Sequence, residues 1–333
     1  MSVDGVRAAK AAHENAIFAR ANVVGVAVGN KAIHGRYTNE TCILVFVERK
    51  WPLEALRRRD VVPKEMDGVL TDVVETGRFT AVPLVQSLDA DRTHRVRPAE
   101  GGSSIGHYRI TAGTLGVLAH RHGRSVILSN NHVLANANEG HIGDPILQPG
   151  PADGGRLQDT IARLSEFVPI RFNERDVGVV GRFLIRAVGP ILGALGLTLK
   201  RLPSGRMNLV DVAVAEPIDE GLVSSDILGI GRVSGTADAT IGLSVQKSGR
   251  TTGLTEGKVT AIDAVVEVDY GGGKTAIFRE QIVSDILSQG GDSGSLVVDS
   301  RGRAVGLLFA GGPTTTLINP IGAVLQALEL SLP

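Results

Sequence analysis

The sequence predicts a mainly β protein: successive antiparallel strands forming barrels or a sandwich, closed by one C-terminal helix and preceded by a small α/β unit. Three observations predict it. From about Ile110 onward, short apolar runs alternate with glycine and polar turns, as in "ITAGTLGVLAHRHGRSVILSNNHVLAN". Forty-two glycines stand against eight phenylalanines and one tryptophan, a composition of many turns and short strands. Strands follow one another without intervening helices, which argues against an alternating βαβ sheet.

Residues 4–20 are alanine-rich, with charges at helix-compatible spacing, and predict an opening helix. Val23–Val28 and Thr41–Val47 read as strands separated by turn residues. "PLEALRRRDVVPKEMDGVLTDVVETG" adds a short helix, a proline-containing turn and a strand at Leu70–Glu75. Residues 1–85 therefore form an expected α/β domain. Residues 86–104, polar with Pro and Gly-Gly, form an expected linker, and 105–333 the main domain. In that domain the strand rhythm returns in "VDVAVAEP", "SVQKSGRTTGLTEGKVTAIDAVVEVDY", "AIFREQIVSD" and "GSLVVDSRGRAVGLLFAGG". "NPIGAVLQALELSL" then gives the terminal helix, with its proline in the first turn.

One stretch interrupts the rhythm, an apolar helical insertion over about 165–206. Residues 177–203 invite a membrane reading, but Phe183–Leu199 is short for a span and is broken by Arg186 and Pro190. A packed or interface-forming insertion fits better than membrane association, and a homo-oligomer is expected.

Composition excludes some classes. Lys+Arg and Asp+Glu number 35 each, so net charge offers nothing to nucleic acid or an acidic membrane surface. Cys42 is the only cysteine, which forbids an intrachain disulfide and favours a reducing compartment. The first residues lack the continuous apolar run of a secretion signal, so the expected location is cytoplasmic. No metal-ligand spacing and no phosphate-binding glycine loop is present, and no cofactor is expected. "GGGK" at Gly271–Lys274 reads as a hairpin tip.

"SQGGDSGSLVV" sets Ser293 on a tight Gly-Asp-Ser-Gly turn. An alcohol becomes a nucleophile when a base lies within reach and a third group orients that base. His132, in "SVILSNNHVLAN", follows an apolar strand at the start of a helical turn, a position suited to facing a cleft. Most of the eight histidines should nonetheless be surface or packing residues. Asp211 leads the alternating strand of "MNLVDVAVAEP", where burial demands a partner such as a histidine N–H. Its rivals are Asp144, Asp153, Asp159 and Asp176. The first two look like turn residues, and Asp176 lies beside the insertion.

The chain order His132, Asp211, Ser293 resembles that of the chymotrypsin-type (trypsin-like) serine proteases. "SNNHVLA", "VDVAV" and "GGDSGS" stand for that family's histidine box, aspartate strand and nucleophile loop. "KSGRTTGLTEGKVTAI" is similar to a hairpin of its streptogrisin-like bacterial members, and the likeness covers roughly residues 105–330. "GVAVGNK", "GDPILQPGPADGG" and "SIGHYRITAGTLG" extend it to a narrower group, cytosolic bacterial trypsin-like proteins related to the plant narrow-leaf proteins.

The resemblance implies a double antiparallel β-barrel and a serine endopeptidase acting on protein or peptide substrates. It implies an oxyanion hole from the amides of Gly291 and Ser293. It maps the floor of the pocket for the residue before the scissile bond (P1) to Leu287, and the substrate-pairing strand to Phe309, Ala310 and Gly311. An apolar floor implies an uncharged, apolar P1 residue. An acid for basic P1 residues would have to be Asp285. Asp292 either completes the turn or is buried against a cation. Nothing here matches the Ile-Val-Gly-Gly start that the family frees by cleavage, so no obligatory zymogen cleavage is expected. The competing reading is a catalytically slow or inactive binding or scaffold module that acts through the N-terminal domain.

Overall fold

The computed structural model describes residues 2–33, 36–81, 90–173 and 207–333. The helix Val3–Phe18 starts where the Ser2 hydroxyl accepts the Gly5 amide at 3.3 Å. It buries Val6, Ala9, Ile17 and Phe18 in one core with Val26, Val28, Ile43 and Val45. The strand Val23–Ile33 is buried on both faces, because Val24 and Ala27 join a second core with Phe46, Phe278 and Phe309. Its near-continuous apolar run follows from having no wet face.

That strand pairs antiparallel with Arg36–Val47 on one side and with the long strand Gly253–Asp269 on the other. Val69–Glu75 adds in parallel to Arg36–Val47. The N-terminal strands and the C-terminal half of the chain thus share one eleven-stranded sheet. Within it, six strands close on themselves as a barrel: Ser244–Gly249, Leu296–Asp299, Ala304–Gly311, Thr316–Pro320, Thr275–Ser284 and Gly253–Asp269. Closure leaves these six strands no free edge along most of their length.

The other half is an eight-stranded sheet. Its order is Leu330–Ser331, Val117–Arg121, Arg124–Ser129, Ala213–Pro217, Thr160–Phe167, Pro145–Leu147, Ser104–His107 and Gly113–Thr114. The expected mainly β, two-barrel arrangement with a C-terminal helix is the fold of this chain. That helix, Ile321–Ala327, begins one residue later than read, with Pro320 as its N-cap. It packs Ile321, Val324 and Leu328 against Val117, Leu296 and Leu307, between the two halves.

The expected short helix after Pro52 is a single 3-10 turn, Leu53–Ala55. The stretch read as linker contains a helical turn, Ala90–Thr93, and a strand, Ala99–Gly101, that pairs in parallel with Val223–Ile227. The apolar segment 177–203 and Asp176 lie outside the described residues. Among those described, no helix is long and apolar enough to cross a membrane. Cys42 is fully buried, and burial pushes its thiol up to about 12.

Candidate active site

The strand Arg124–Ser129 ends at Asn130, whose extended backbone starts the helical turn Asn131–Leu134. His132 therefore leaves the sheet just past the end of this strand. Its Nδ1 lies 2.6 Å from Asp211 Oδ2, and its backbone N–H donates to Asp211 Oδ1 at 3.3 Å. Asp211 is fully buried and sits two residues before the strand Ala213–Pro217. Its backbone is held as well: Asn130 Nδ2 donates to its carbonyl at 2.7 Å, and its amide donates to Asn319 Oδ1 at 3.2 Å. A carboxylate on Nδ1 fixes the proton there and leaves Nε2 with a free lone pair. Nε2 is buried and hydrogen-bonds to no protein group among the described residues.

The three described rival acids are engaged elsewhere. Asp144 accepts from His107 Nε2 at 2.9 Å. Asp153 pairs with the buried Arg250, whose Nε lies at 2.8 Å, and so ties the two halves together. Asp159 pairs with Arg95 at 3.2 Å and accepts the Arg156 amide.

A further residue reaches Asp211 that sequence reasoning missed. The Tyr270 hydroxyl donates to Asp211 Oδ2 at 2.7 Å. Tyr270 stands at the tip of the hairpin between Gly253–Asp269 and Thr275–Ser284, where "GGGK" was read as a turn. Its ring meets His132 edge-on at 5.8 Å and lies among Phe172 and Phe278. Burial, reinforced by the neighbouring Asp211 carboxylate, holds the phenol pKa well above its usual value, so the hydroxyl stays a donor. The available signal was a lone tyrosine ending an apolar strand ahead of three glycines, which says nothing about its partner.

Ser293 sits in the second half, between Gly291 at φ +101° and Gly294. The left-handed backbone at Gly291, which a residue with a Cβ adopts only at a cost, is what turns the loop there. The amides of Gly291 and Ser293 donate to no protein acceptor among the described residues. The loop is fastened to the first half through Thr114. Its amide donates to the Ser293 carbonyl at 2.8 Å, and its hydroxyl to the Gly291 carbonyl at 2.8 Å. Ser293 Oγ makes a long hydrogen bond to the Phe309 carbonyl at 3.4 Å and none to His132. The structure thus joins His132 to Asp211 but does not hydrogen-bond Ser293 to His132.

Asp292 is fully buried, and it is held against a cation. Lys247 Nζ, also fully buried, lies 3.3 Å from Asp292 Oδ2. The carboxylate further accepts the Thr251 amide at 2.8 Å, the Thr252 amide at 3.0 Å, the Thr252 hydroxyl at 2.8 Å and the Gln289 amide at 2.9 Å. Burial lowers the Lys247 pKa, and Asp292 opposes that shift. The cation comes from within the strand Ser244–Gly249 of the same chain.

Of the residues mapped to the substrate, Phe309 and Ala310 are buried within the strand Ala304–Gly311, and Gly311 ends it. Leu287 stands 56% exposed, and its carbonyl accepts the Thr255 hydroxyl at 2.9 Å. Beside it, the Ser288 and Thr316 hydroxyls share a 2.6 Å hydrogen bond. Asp285 accepts the Lys258 amide at 2.6 Å.

Residues 113–307, more than half of the chain, match the family described as trypsin-like peptidase domain. Serine protease 2 of Streptomyces fradiae is 39% identical over 79 residues, which are 24% of this chain and 42% of that protein. The matched stretch therefore spans less than half the length of that curated relative. Protease A of Thermobifida fusca is a similar solved structure at 16% identity and TM-score 0.45, covering 70% of this chain and 98% of that one. Cellulomonas bogoriensis chymotrypsin is another, at 17% identity and TM-score 0.43, covering 71% and 99%. The chain belongs to the trypsin-like peptidase family.

Proposed function

We propose that the protein is a serine endopeptidase that hydrolyses peptide bonds through His132, Asp211 and Ser293. The observation that carries this reading is the 2.6 Å contact between His132 Nδ1 and the buried Asp211 carboxylate, which leaves a buried Nε2 without a protein partner among the described residues. In the reaction, Ser293 Oγ attacks the substrate carbonyl while His132 Nε2 takes its proton and then returns it to the leaving amine. Asp211 stays ionised and orients the imidazole. The amides of Gly291 and Ser293 receive the oxyanion, each contributing about 3–4 kcal/mol to the transition state. Water then repeats the cycle on the acyl-enzyme.

Tyr270 is the positioning residue behind Asp211. Lys247 is the resident cation behind Asp292, which supports activity without release of a new N-terminal amine. Leu287, with Ser288 and Thr316 beside it, suits an uncharged P1 residue. The finer kinship to cytosolic bacterial and plant narrow-leaf proteins belongs to this proposal and rests on the three segments quoted for it. A cytoplasmic, self-associating protein is proposed with it, the single cysteine supporting the first property and the apolar segment 177–203 the second.

The second reading is a latent or inactive protease-fold module. It is favoured by Ser293 Oγ being engaged with the Phe309 carbonyl and not with His132. A fluorophosphonate probe separates the two. A single adduct on Ser293 with loss of peptidase activity supports the hydrolase, whereas no adduct on the folded wild-type protein overturns it.

A further inference from the structure

The strand Ala304–Gly311 keeps one edge on Thr316–Pro320 as far as Gly311. Its other edge pairs with Leu296–Asp299 only up to Leu307, and Leu308 is then held by the Gly294 amide and the Ser295 carbonyl. From Phe309 onward that second edge is the one facing Ser293, whose Oγ reaches the Phe309 carbonyl. An extended peptide with its carbonyl at Ser293 would run along this edge as an added antiparallel strand, pairing at alternate residues. The positions open to it are Phe309 and then Gly311.

Gly311 already has a partner. Thr80 pairs with it antiparallel, in the orientation an incoming peptide would take. Phe79 and Thr80 also pair in parallel with Val268 and Asp269, and the Ala81 amide donates to the Asp269 carbonyl at 3.0 Å. The segment therefore fills the gap between two barrel strands. It is built in, not laid on: Phe79 is 1% exposed, meets Phe46 edge-on at 5.9 Å, and shares a core with Phe278 and Phe309. Gly312 shows how close the two pass, since a Cβ there would lie 2.5 Å from the Thr76 carbonyl oxygen.

We propose that the N-terminal unit occupies, with its own backbone at Phe79–Thr80, the pairing position for the third residue before the scissile bond. Recognition on that side of the cleft is then confined to the two residues next to the bond, and the substrate class is peptides selected at those two positions and on the leaving side. The inference rests on the hydrolase reading for its chemistry, but the filled edge itself does not.

Two measurements on the full chain test it. The first is a series of peptide substrates with one P1 residue and one fluorogenic leaving group, carrying one to four residues before the bond. The expected kcat/KM rises from one residue to two and then stays level within about threefold. A further rise of about tenfold or more at the third residue, the size that two added backbone hydrogen bonds deliver, overturns the proposal. The second is hydrogen exchange of residues 76–81 and 309–312, expected to be as slow as in the barrel strands; exchange at loop rates overturns it whatever the activity. Fluorophosphonate labelling of the same sample keeps the readings apart. A labelled Ser293 with strong length dependence removes this inference alone, and an unlabelled protein with slow exchange removes the hydrolase reading and supports the filled edge.

Discussion

Tyr270→Phe is the most direct test of how the proposed triad is held. The change removes one oxygen and leaves the ring that packs against Phe172, Phe278 and His132. In the wild type the fully buried Asp211 carboxylate has three donors: His132 Nδ1 at 2.6 Å, Tyr270 OH at 2.7 Å and the His132 amide at 3.3 Å. A hydrogen bond to a charged group contributes roughly 1.5–3 kcal/mol, and loss of one of the two short ones should remove about that much stability. The kinetic share is smaller, since the phenol touches Asp211 before and during catalysis. About 1 kcal/mol is expected in the barrier, which corresponds to a loss of roughly fivefold in kcat. KM should not move, because Tyr270 meets Asp211 and not the substrate. Steady-state kinetics with a peptide substrate, beside chemical denaturation of the same variant, read all of these. An unchanged kcat together with a large fall in stability would mean that Tyr270 is a packing residue only. A loss equal to that of Asp211→Asn would mean that the phenol does more than position.

Asp211→Asn should lower kcat by about four orders of magnitude with the fold intact, since the amide favours the wrong tautomer of His132; near-normal turnover would point to a different acid. Lys247→Met should destabilise the protein by roughly 3–5 kcal/mol in urea titration, because Asp292 is left buried without its cation, and should slow fluorophosphonate labelling of Ser293. Full stability in that variant would show that the four other donors to Asp292 suffice. His107 is fully buried, its Nδ1 accepts the Arg109 amide at 3.2 Å and its Nε2 faces Asp144, and burial lowers its pKa below the usual 6.5. The unfolded chain therefore binds the extra proton first, so stability should be full above about pH 6.5 and fall as pH drops below it; His107→Asn should flatten that slope in denaturation curves between pH 5 and 7.

The elements that sequence patterns revealed are those built from apolar runs of strand length or bounded by turns of recognisable chemistry. Val69–Glu75 was read to within one residue as an apolar stretch of strand length bounded by turn residues, although its two faces meet different cores. The opening helix was read because it is rich in alanine with charges interspersed at helical spacing, and the structure buries Val6, Ala9, Ile17 and Phe18 on its inner face. His132 and Ser293 were legible because each sits at a local turn with its own signature. Asp211 needed a choice among acids that look alike in sequence, since what distinguishes it is a partner 79 positions away. Tyr270 and Lys247 were missed for the same reason. Each acts through one contact across the fold, and neither a hairpin tip nor an alternating strand announces which side chain faces a buried carboxylate. The pairing of Val23–Ile33 with Gly253–Asp269, and of Thr80 with Gly311, was equally silent, because strand register between distant segments leaves no local pattern.

The groups proposed to be catalytic come from two sheets, so their alignment depends on how those sheets are locked together. His132 and Asp211 belong to the eight-stranded sheet, and Ser293 to the barrel. Four connections cross that boundary close to the site. Thr114 holds the nucleophile loop by its amide and hydroxyl and accepts the Arg250 amide at 2.9 Å, while Ser129, three residues before the histidine, donates to the Thr114 carbonyl at 2.8 Å. Arg250 reaches back to Asp153 in a buried ion pair. Asn319, at the end of a barrel strand, brackets the backbone of Asp211, and Tyr270, from the barrel hairpin, takes its carboxylate. Each of the first half's two proposed triad residues is therefore reached, directly or through one neighbour, by a polar group of the second. A cleft between two sheets that slid by even 1 Å would lose these bonds before it lost its apolar contacts, because hydrogen bonds weaken with displacement faster than packed surfaces separate. That makes the polar seam, more than the hydrophobic cores on either side, the part of the fold that sets the distance between base and nucleophile.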